Sequence, residues 1–206
     1  AGTCACGRAF APNTGAVVCL DATPAMLEVG KQEAVNNSLS NMVFMQGTAE
    51  QLPFLDNSFD IVISRLAFHH FPETHRCFAE MARVLKPGGK LVVIDMEATK
   101  EELRDIEDKL ETLRDPSHIR NLSKNEFAEM FSHNHLTVST ADYTEIPVSA
   151  NAWLALTNTS AEVSADILKS FADEIAGGKS TGFEPYMKND EIFFNQRWLM
   201  MIGKKD

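Results

Sequence analysis

The chain has 206 residues, of which 44% are apolar and 23% charged, and its formal net charge is −10. That length buries a full hydrophobic core within one domain, and no apolar run approaches the ~18–20 residues that span a bilayer. The acidic balance argues against nucleic acid as the main partner, because phosphate binding needs a basic face.

The chain opens on Ala1-Gly2-Thr3-Cys4-Ala5-Cys6-Gly7. This is glycine-loop chemistry without a strand in front of it, so the preceding strand is expected upstream. Ala16 to Leu20 is a short apolar run ending at Asp21, the pattern of a parallel strand buried on both faces. Thr23 offers an N-cap and Pro24 suits the first helical position, predicting a helix to about Val35. Met42 to Met45 is the next strand and leads into Gly47-Thr48-Ala49-Glu50. Asp56, Asn57 and Ser58 are turn formers ahead of an apolar strand over Phe59 to Ser64. Between Glu73 and Leu85, the spacing of Phe78, Met81, Ala82 and Leu85 gives one helix face. Pro87-Gly88-Gly89 is expected to stop that helix. Leu91 to Ile94 is a further buried strand.

The second half is patterned differently. Glu101 to Leu113 reads as a charged helix with Leu103, Ile106, Leu110 and Leu113 as its apolar face. Lys124 to Phe131 is a short helix capped by Ser123. Leu136 to Ile146 and Ile192 to Ile202 read as strands, with helices over Ala150 to Thr157 and Val163 to Ile175 ended by Gly177-Gly178. The alternation predicts an α/β fold with a doubly wound, mostly parallel sheet and an antiparallel C-terminal edge. The whole of 1–206 is expected to form one domain. Residues 1–96 would be the cofactor-binding half, 97–134 the helices over the substrate, and 135–206 the closing strands and helices.

Ligands of open parallel sheets bind outside the carboxyl ends of the strands. Asp21, Thr48-Ala49-Glu50, Arg65 and Asp95 with Glu97 all fall at such ends, and His69 and His70 lie just beyond Arg65. A carboxylate placed like Asp21 can accept hydrogen bonds from both ribose hydroxyls of an adenosine. Nicotinamide-dinucleotide and S-adenosylmethionine enzymes share this feature, so it does not choose between them. Gly2 to Gly7 would match G-x-G-x-x-G only with glycine at Cys4. Cys4-x-Cys6 lacks the usual zinc spacing, and His69, His70 and His75 match no standard ligand set, so no metal is expected. The four cysteines, Cys4, Cys6, Cys19 and Cys77, fit a reducing cytoplasm better than a disulfide scaffold, and no signal-peptide pattern is visible.

A longer match does choose. Asp21-Ala22-Thr23-Pro24-Ala25-Met26-Leu27, then Gly47 to Phe54, Ser58 to Val62, Arg65, His69-His70-Phe71 and Leu85 to Gly89 follow one another in a specific order. Together they resemble the UbiE-like (type 11) class I methyltransferases that use S-adenosylmethionine (SAM). The resemblance covers roughly Ala1 to Asp95 and becomes looser beyond it, where Arg114 to His118 resembles a segment lying over the substrate pocket. It implies a Rossmann-like fold, incomplete here in its first strand and preceding helices, and methyl transfer to a small molecule, with S-adenosylhomocysteine as product. It further implies that Gly2 and Thr3 surround the methionine part of the cofactor and that Asp21 takes the ribose. Ala22 and Met26 would flank the adenine, Thr48 and Ala49 meet its edge, and Arg65 lie alongside through its backbone.

Three positions depart from the pattern. Cys4 puts a Cβ where backbone should approach ligand, Thr48 replaces the usual Asp, and the first strand is absent. In-line transfer from a sulfonium needs mainly positioning and exclusion of water, with a base only for a protonated nucleophile. His69 and His70 are the candidates by location, and His118 with Asp115 come second. The alternatives are a non-catalytic module of the same fold and, lower, an NAD-dependent oxidoreductase. Trp153, Phe183, Tyr186, Phe193, Phe194 and Trp198 suit either a pocket or a core. A gap left by a first strand would also invite pairing between chains, as a homo-oligomer.

Overall fold

A computed structural model of the chain describes residues 1–98 and 100–206. A short helix α1 (Ala5–Phe10) precedes β1 (Val17–Asp21), α2 (Pro24–Asn36) and β2 (Met42–Gln46). The two strands pair in parallel, with Val17 opposite Met42 and Asp21 opposite Gln46. Pro24 sits in the first turn of α2, where its missing N–H is no loss. Thr23 precedes it in extended conformation, but its side chain makes no cap bond. Its N–H is used instead, donating to Asp21 Oδ1 at 2.9 Å. Leu27 of α2 packs with Cys4 and Cys19 in a small core of its own. Gly30 permits the close approach there, since a Cβ would stand 2.7 Å from Cys4 Sγ.

Next come β3 (Phe59–Arg65), α3 (Thr74–Val84) and β4 (Leu85–Met96). As the spacing predicts, α3 buries Phe78, Met81 and Ala82, and Cys77 with them. Its end differs from expectation. The helix stops at Val84 and Leu85 already pairs with Phe59, so Pro87-Gly88-Gly89 lie inside the irregular start of β4. Strand pairing at Leu85 ends the helix before the breakers act. Gly88 then turns the chain at φ +77, and the register of β4 against β3 shifts between Phe59 and Ile61. Lys205 closes the joint, donating to the carbonyls of Ala82 and Leu85, each at 2.7 Å.

The remaining elements are α4 (Arg104–Arg114), α5 (Lys124–His133), β5 (Leu136–Ser149), α6 (Ala150–Leu156), α7 (Ala161–Ile175), β6 (Tyr186–Lys188) and β7 (Glu191–Lys205). Ser123 and Glu126 cap α5 reciprocally, a full capping box. β7 runs antiparallel between β4 and β5, and β6 folds back on it as a hairpin. Both long strands outrun their apolar cores because they pair from Leu136–Lys205 to Ser149–Phe193.

The class is the expected one, α/β with a parallel part and an antiparallel edge. The strands divide, however, into a β1–β2 sheet and a β3–β4–β7–β5 sheet. The larger sheet carries the main core, including Phe68, Phe78, Leu91, Phe127, Phe131 and Met201. A second core packs Trp153, Phe171, Phe183 and Phe194 with Leu110 of α4. Trp153, Phe183 and Phe194 are therefore chiefly packing residues, with ring centroids 5.1–5.4 Å apart. Among the described residues no helix is long and apolar enough to cross a membrane.

Candidate active site

The polar residues singled out in the sequence gather at two places along the carboxyl ends of the strands. The first is Asp21, the last residue of β1. Its Oδ2 accepts from the Gly2 N–H at 2.6 Å and its Oδ1 from the Thr23 N–H at 2.9 Å. Burial works against its charge, and these backbone donors favour it. Ala22 and Met26 lie exposed beside it. Gly2 adopts φ +54 and faces open space, with nothing within 4 Å of where a Cβ would be. Thr3 keeps its carbonyl on Arg8.

Cys4 does not obstruct this loop. Its side chain is turned inward, fully buried against Gly30, and the departure from glycine shows instead as a left-handed backbone at φ 60. Thr48 bridges to Gln51 just after β2, and Ala49 packs on the main core. Arg65 ends β3 with its guanidinium 5.0 Å from the Trp198 ring of β7, so its side chain is occupied by stacking.

The second place is built around Asp95, near the end of β4. This carboxylate is 1% exposed and accepts four hydrogen bonds. Oδ2 takes the backbone N–H groups of Ala67 (3.0 Å) and Phe68 (2.8 Å), and Oδ1 takes that of Met96 (2.9 Å). The fourth comes from His69 Nδ1 at 2.6 Å. His69 stands on a 3₁₀ turn, Phe68–His70, directly after β3. A carboxylate on Nδ1 assigns the proton to that nitrogen and leaves the Nε2 lone pair free.

The segment after α4 is fastened over this turn. The His69 carbonyl accepts from Ile119 and Arg120. His70 Nδ1 is held by the Ser117 carbonyl at 3.0 Å, and burial together with neighbouring His69 pushes its imidazole below the ordinary range. His118 is buried with its ring centroid 5.8 Å from that of His69. Its Nε2 bonds Asp108 at 2.8 Å, while its Nδ1 has no partner among the described residues. Asp115 accepts from the backbone and hydroxyl of Ser117, which places it on the loop rather than against the imidazole of His69. The structure thus brings His69, His70 and His118 together, with Asp95 and Asp108 as their carboxylate partners.

Helix α4 does not present the expected face. Ile106 and Leu113 are exposed, whereas Arg104, Leu110 and Glu111 are buried and Glu107 is partly so. Leu110 packs on the aromatic core, while Glu107 and Glu111 border a cavity of about 50 Å³, lined by Met96, Asn121, Phe194 and Gln196 among others. Burial, and then Glu111 and Asp108, push the Glu107 carboxyl up to about 8. Burial likewise raises Glu111, against the opposing pull of Arg114, His118 and His69. The role of Asp95, and Glu107, Glu111 and Asn121 altogether, escape the sequence reading. The usable signal is the i, i+4 spacing of Glu107 and Glu111, which puts two acids on one helix face. Among the described residues no group of three or more His, Cys, Asp or Glu is arranged to hold a metal ion.

A strand-end carboxylate on a parallel pair and an Asp–His pair on the neighbouring sheet are thus set on an α/β fold. A family model described as a methyltransferase domain matches residues 1–93. The chain belongs to this methyltransferase family. It is 36% identical over 184 residues to the uncharacterized protein YafE of Escherichia coli, covering 89% of this chain and 87% of that one. It is 38% identical over 155 residues to the uncharacterized methyltransferase YcgJ of Bacillus subtilis, covering 75% of this chain and 61% of the relative. The crystal structure of YcgJ superimposes with a TM-score of 0.89 at 31% identity, over 99% of this chain and 88% of that one. Similarity to the ubiquinone/menaquinone biosynthesis C-methyltransferase UbiE of Haemophilus ducreyi is shorter. It is 40% over 84 residues, which is 40% of this chain and 32% of that protein.

Proposed function

We propose that the chain is one methyltransferase domain that uses S-adenosylmethionine and methylates a small molecule, with His69 as the proton acceptor. The observation that carries this reading is the buried Asp95–His69 pair beside the carboxyl ends of β3 and β4. Asp21 supports the cofactor assignment. It is a charged carboxylate at a strand end, next to an open glycine turn and the exposed apolar surface of Ala22 and Met26. That combination fits a ribose diol and an adenine ring. Thr48 and Ala49 would border the adenine, Gly2 and Thr3 the methionine part, and Arg65 would contribute backbone only.

S-adenosylmethionine, when bound, supplies a methyl group already activated as a sulfonium. The chain's own residues position the acceptor, exclude water and manage one proton. His69 Nε2 takes the proton from a hydroxyl, an ammonium or an acidic carbon of the acceptor. Asp95 fixes the tautomer that makes Nε2 basic and stabilises the imidazolium that forms. A positioned base of this kind contributes about 10²–10⁴-fold. Residues 97–134 are read as the cover over the acceptor, since the 117–120 loop is bonded to the His69 turn. Four free thiols agree with a reducing cytoplasm.

The exchange of the usual Asp for Thr48 favours, as second reading, a module of the same fold with weak cofactor binding. Calorimetry separates the readings. Saturable heat with S-adenosylhomocysteine, and none with NAD, supports the methyltransferase assignment. Heat with NAD alone would move it to the oxidoreductases, and heat with neither would favour the non-catalytic module.

A further inference from the structure

We propose that the cavity bordered by Glu107, Glu111 and Asn121 is the subsite for a primary ammonium group carried by the methyl acceptor. The inference rests on the methyltransferase reading above and adds to it the charge class of the substrate.

The ionic pairing around the cavity leaves one acid over. Glu97 is paired with Arg197 at 2.6 Å, Glu111 with Arg114 at 3.0 Å and Asp108 with His118 at 2.8 Å. Arg104 is taken by Glu101 and Glu126. Among the described residues Glu107 has no ion-pair partner, only a 3.4 Å contact from Asn121 Nδ2. Asn121 is itself 1% exposed, and its Oδ1 is buried with no donor. A carboxyl without an ion-pair partner, held by one long hydrogen bond, and an amide oxygen without a donor thus border one small cavity. Such groups are costly to bury unpaired.

The missing partner is defined by what is already there. An ammonium offers three donors, no acceptor and a positive charge. A hydroxyl could accept from a protonated Glu107 and donate to the Asn121 oxygen, but it brings no charge to match an ionised Glu107. The volume, about 50 Å³, exceeds the ~10–15 Å³ that admits one water and suits an ammonium with its first carbon. Burial and the adjoining Glu111 and Asp108 keep the empty Glu107 protonated near neutrality, and an entering cation reverses that balance.

The surroundings provide for the rest of the ligand. Phe183, Phe194 and Met96 give apolar walls for a carbon stem. The cavity shares Gly182, Phe183, Asn195 and Arg197 with an outer pocket of about 270 Å³, which opens toward Lys100, Glu145 and Glu184. Glu111, on the cavity wall, lies near enough to His118 and His69 to feel their charges, so the subsite borders the histidine cluster through that side chain. The net charge of −10 draws cations toward the protein.

The test uses the full chain saturated with S-adenosylhomocysteine. Phenethylamine is compared with 2-phenylethanol, and butylamine with 1-butanol, by calorimetry and thermal melting at neutral pH. Each amine should bind at least roughly tenfold more tightly than its alcohol, the scale of one hydrogen bond to a charged group. Glu107→Gln should abolish that preference while leaving the ligand-free protein as stable as the parent or more so. Equal responses to amine and alcohol, or none, would overturn the subsite, as would unchanged amine binding by E107Q. A ligand-free E107Q that melts well below the parent marks Glu107 as structural and overturns it too. S-adenosylhomocysteine binding, measured first, keeps the two readings apart. Its absence refutes the methyltransferase assignment, and its presence without amine preference refutes only the subsite.

Discussion

Replacing Asp95 by Asn exchanges one carboxylate oxygen for NH₂ and probes the whole turn around His69. Four donors converge on this carboxylate, two on each oxygen. An Asn can keep its carbonyl oxygen on Ala67 and Phe68, which turns its NH₂ toward His69 and Met96. His69 adapts by moving its proton to Nε2 so that Nδ1 accepts. The Met96 N–H cannot adapt, and a buried donor left without a partner costs about 1–3 kcal/mol. The retained bonds also lose their ionic character, which brings the total to roughly 3–4 kcal/mol. For a chain of this size that is a fall in Tm of about 6–15 °C, within a total stability of about 5–15 kcal/mol. The variant should therefore fold, with a lower melting point and an inverted imidazole. Thermal melting reads the first effect and nitrogen NMR of the His69 ring the second. An unchanged Tm, or a His69 ring still protonated on Nδ1, would refute the role given to Asp95. His69→Gln separates structure from chemistry. It should lose the base, and about 10²-fold or more in methyl transfer, at a smaller cost in stability than D95N.

Asp21→Ala removes the acceptor offered to the ribose and should weaken S-adenosylhomocysteine binding by roughly tenfold or more, with the secondary structure retained; equal calorimetric affinity would remove Asp21 from the site. Gly203→Ala would drive a Cβ to 2.5 Å from Cε1 of the buried Phe131 ring. A urea midpoint lowered by the equivalent of about 1–3 kcal/mol is expected, and no change would mean that β7 and α5 pack more loosely than described. Glu80 is held below its ordinary range chiefly by the Arg83 guanidinium, at 2.7 and 2.8 Å, and by the Leu52 N–H. A depressed carboxyl contributes stability that is complete above its unfolded value and is lost as pH falls through its folded value. Glu80→Gln should flatten that acid limb of the stability curve, and an unaltered limb would exclude this pair as its source.

Much of the fold is legible locally. Apolar runs that end in Asp21 and Arg65, the face of α3, and the Ser123 box of α5 are encoded within a few residues, because strand burial, helix periodicity and capping are short-range effects. Helix α4 departs from its periodic pattern for a physical reason. Periodicity predicts one buried apolar face, yet Ile106 and Leu113 face outward while Arg104 and Glu111 are buried. Periodicity assumes an apolar neighbour along the whole face, whereas only Leu110 meets one and Glu107 and Glu111 border a cavity of mixed lining. Such a break with the local pattern is the behaviour expected of a functional site. The early end of α3 has the same kind of cause, since pairing of Leu85 with Phe59 is a contact across more than twenty residues that no helix propensity reports.

For the chemistry, the sequence by itself determined which groups stand at strand ends and so could meet a ligand: Asp21, Arg65, the two histidines and Asp95. Their types and order were enough to indicate the family. Only the tertiary structure decided their partners. It set β7 between β4 and β5, joined Asp95 to His69 across 26 positions, brought His118 alongside, and left Glu107 and Asn121 unmatched around one cavity. Hydrogen bonding and charge compensation depend on distances of a few ångström between remote segments. The chain specifies those distances only once it is folded.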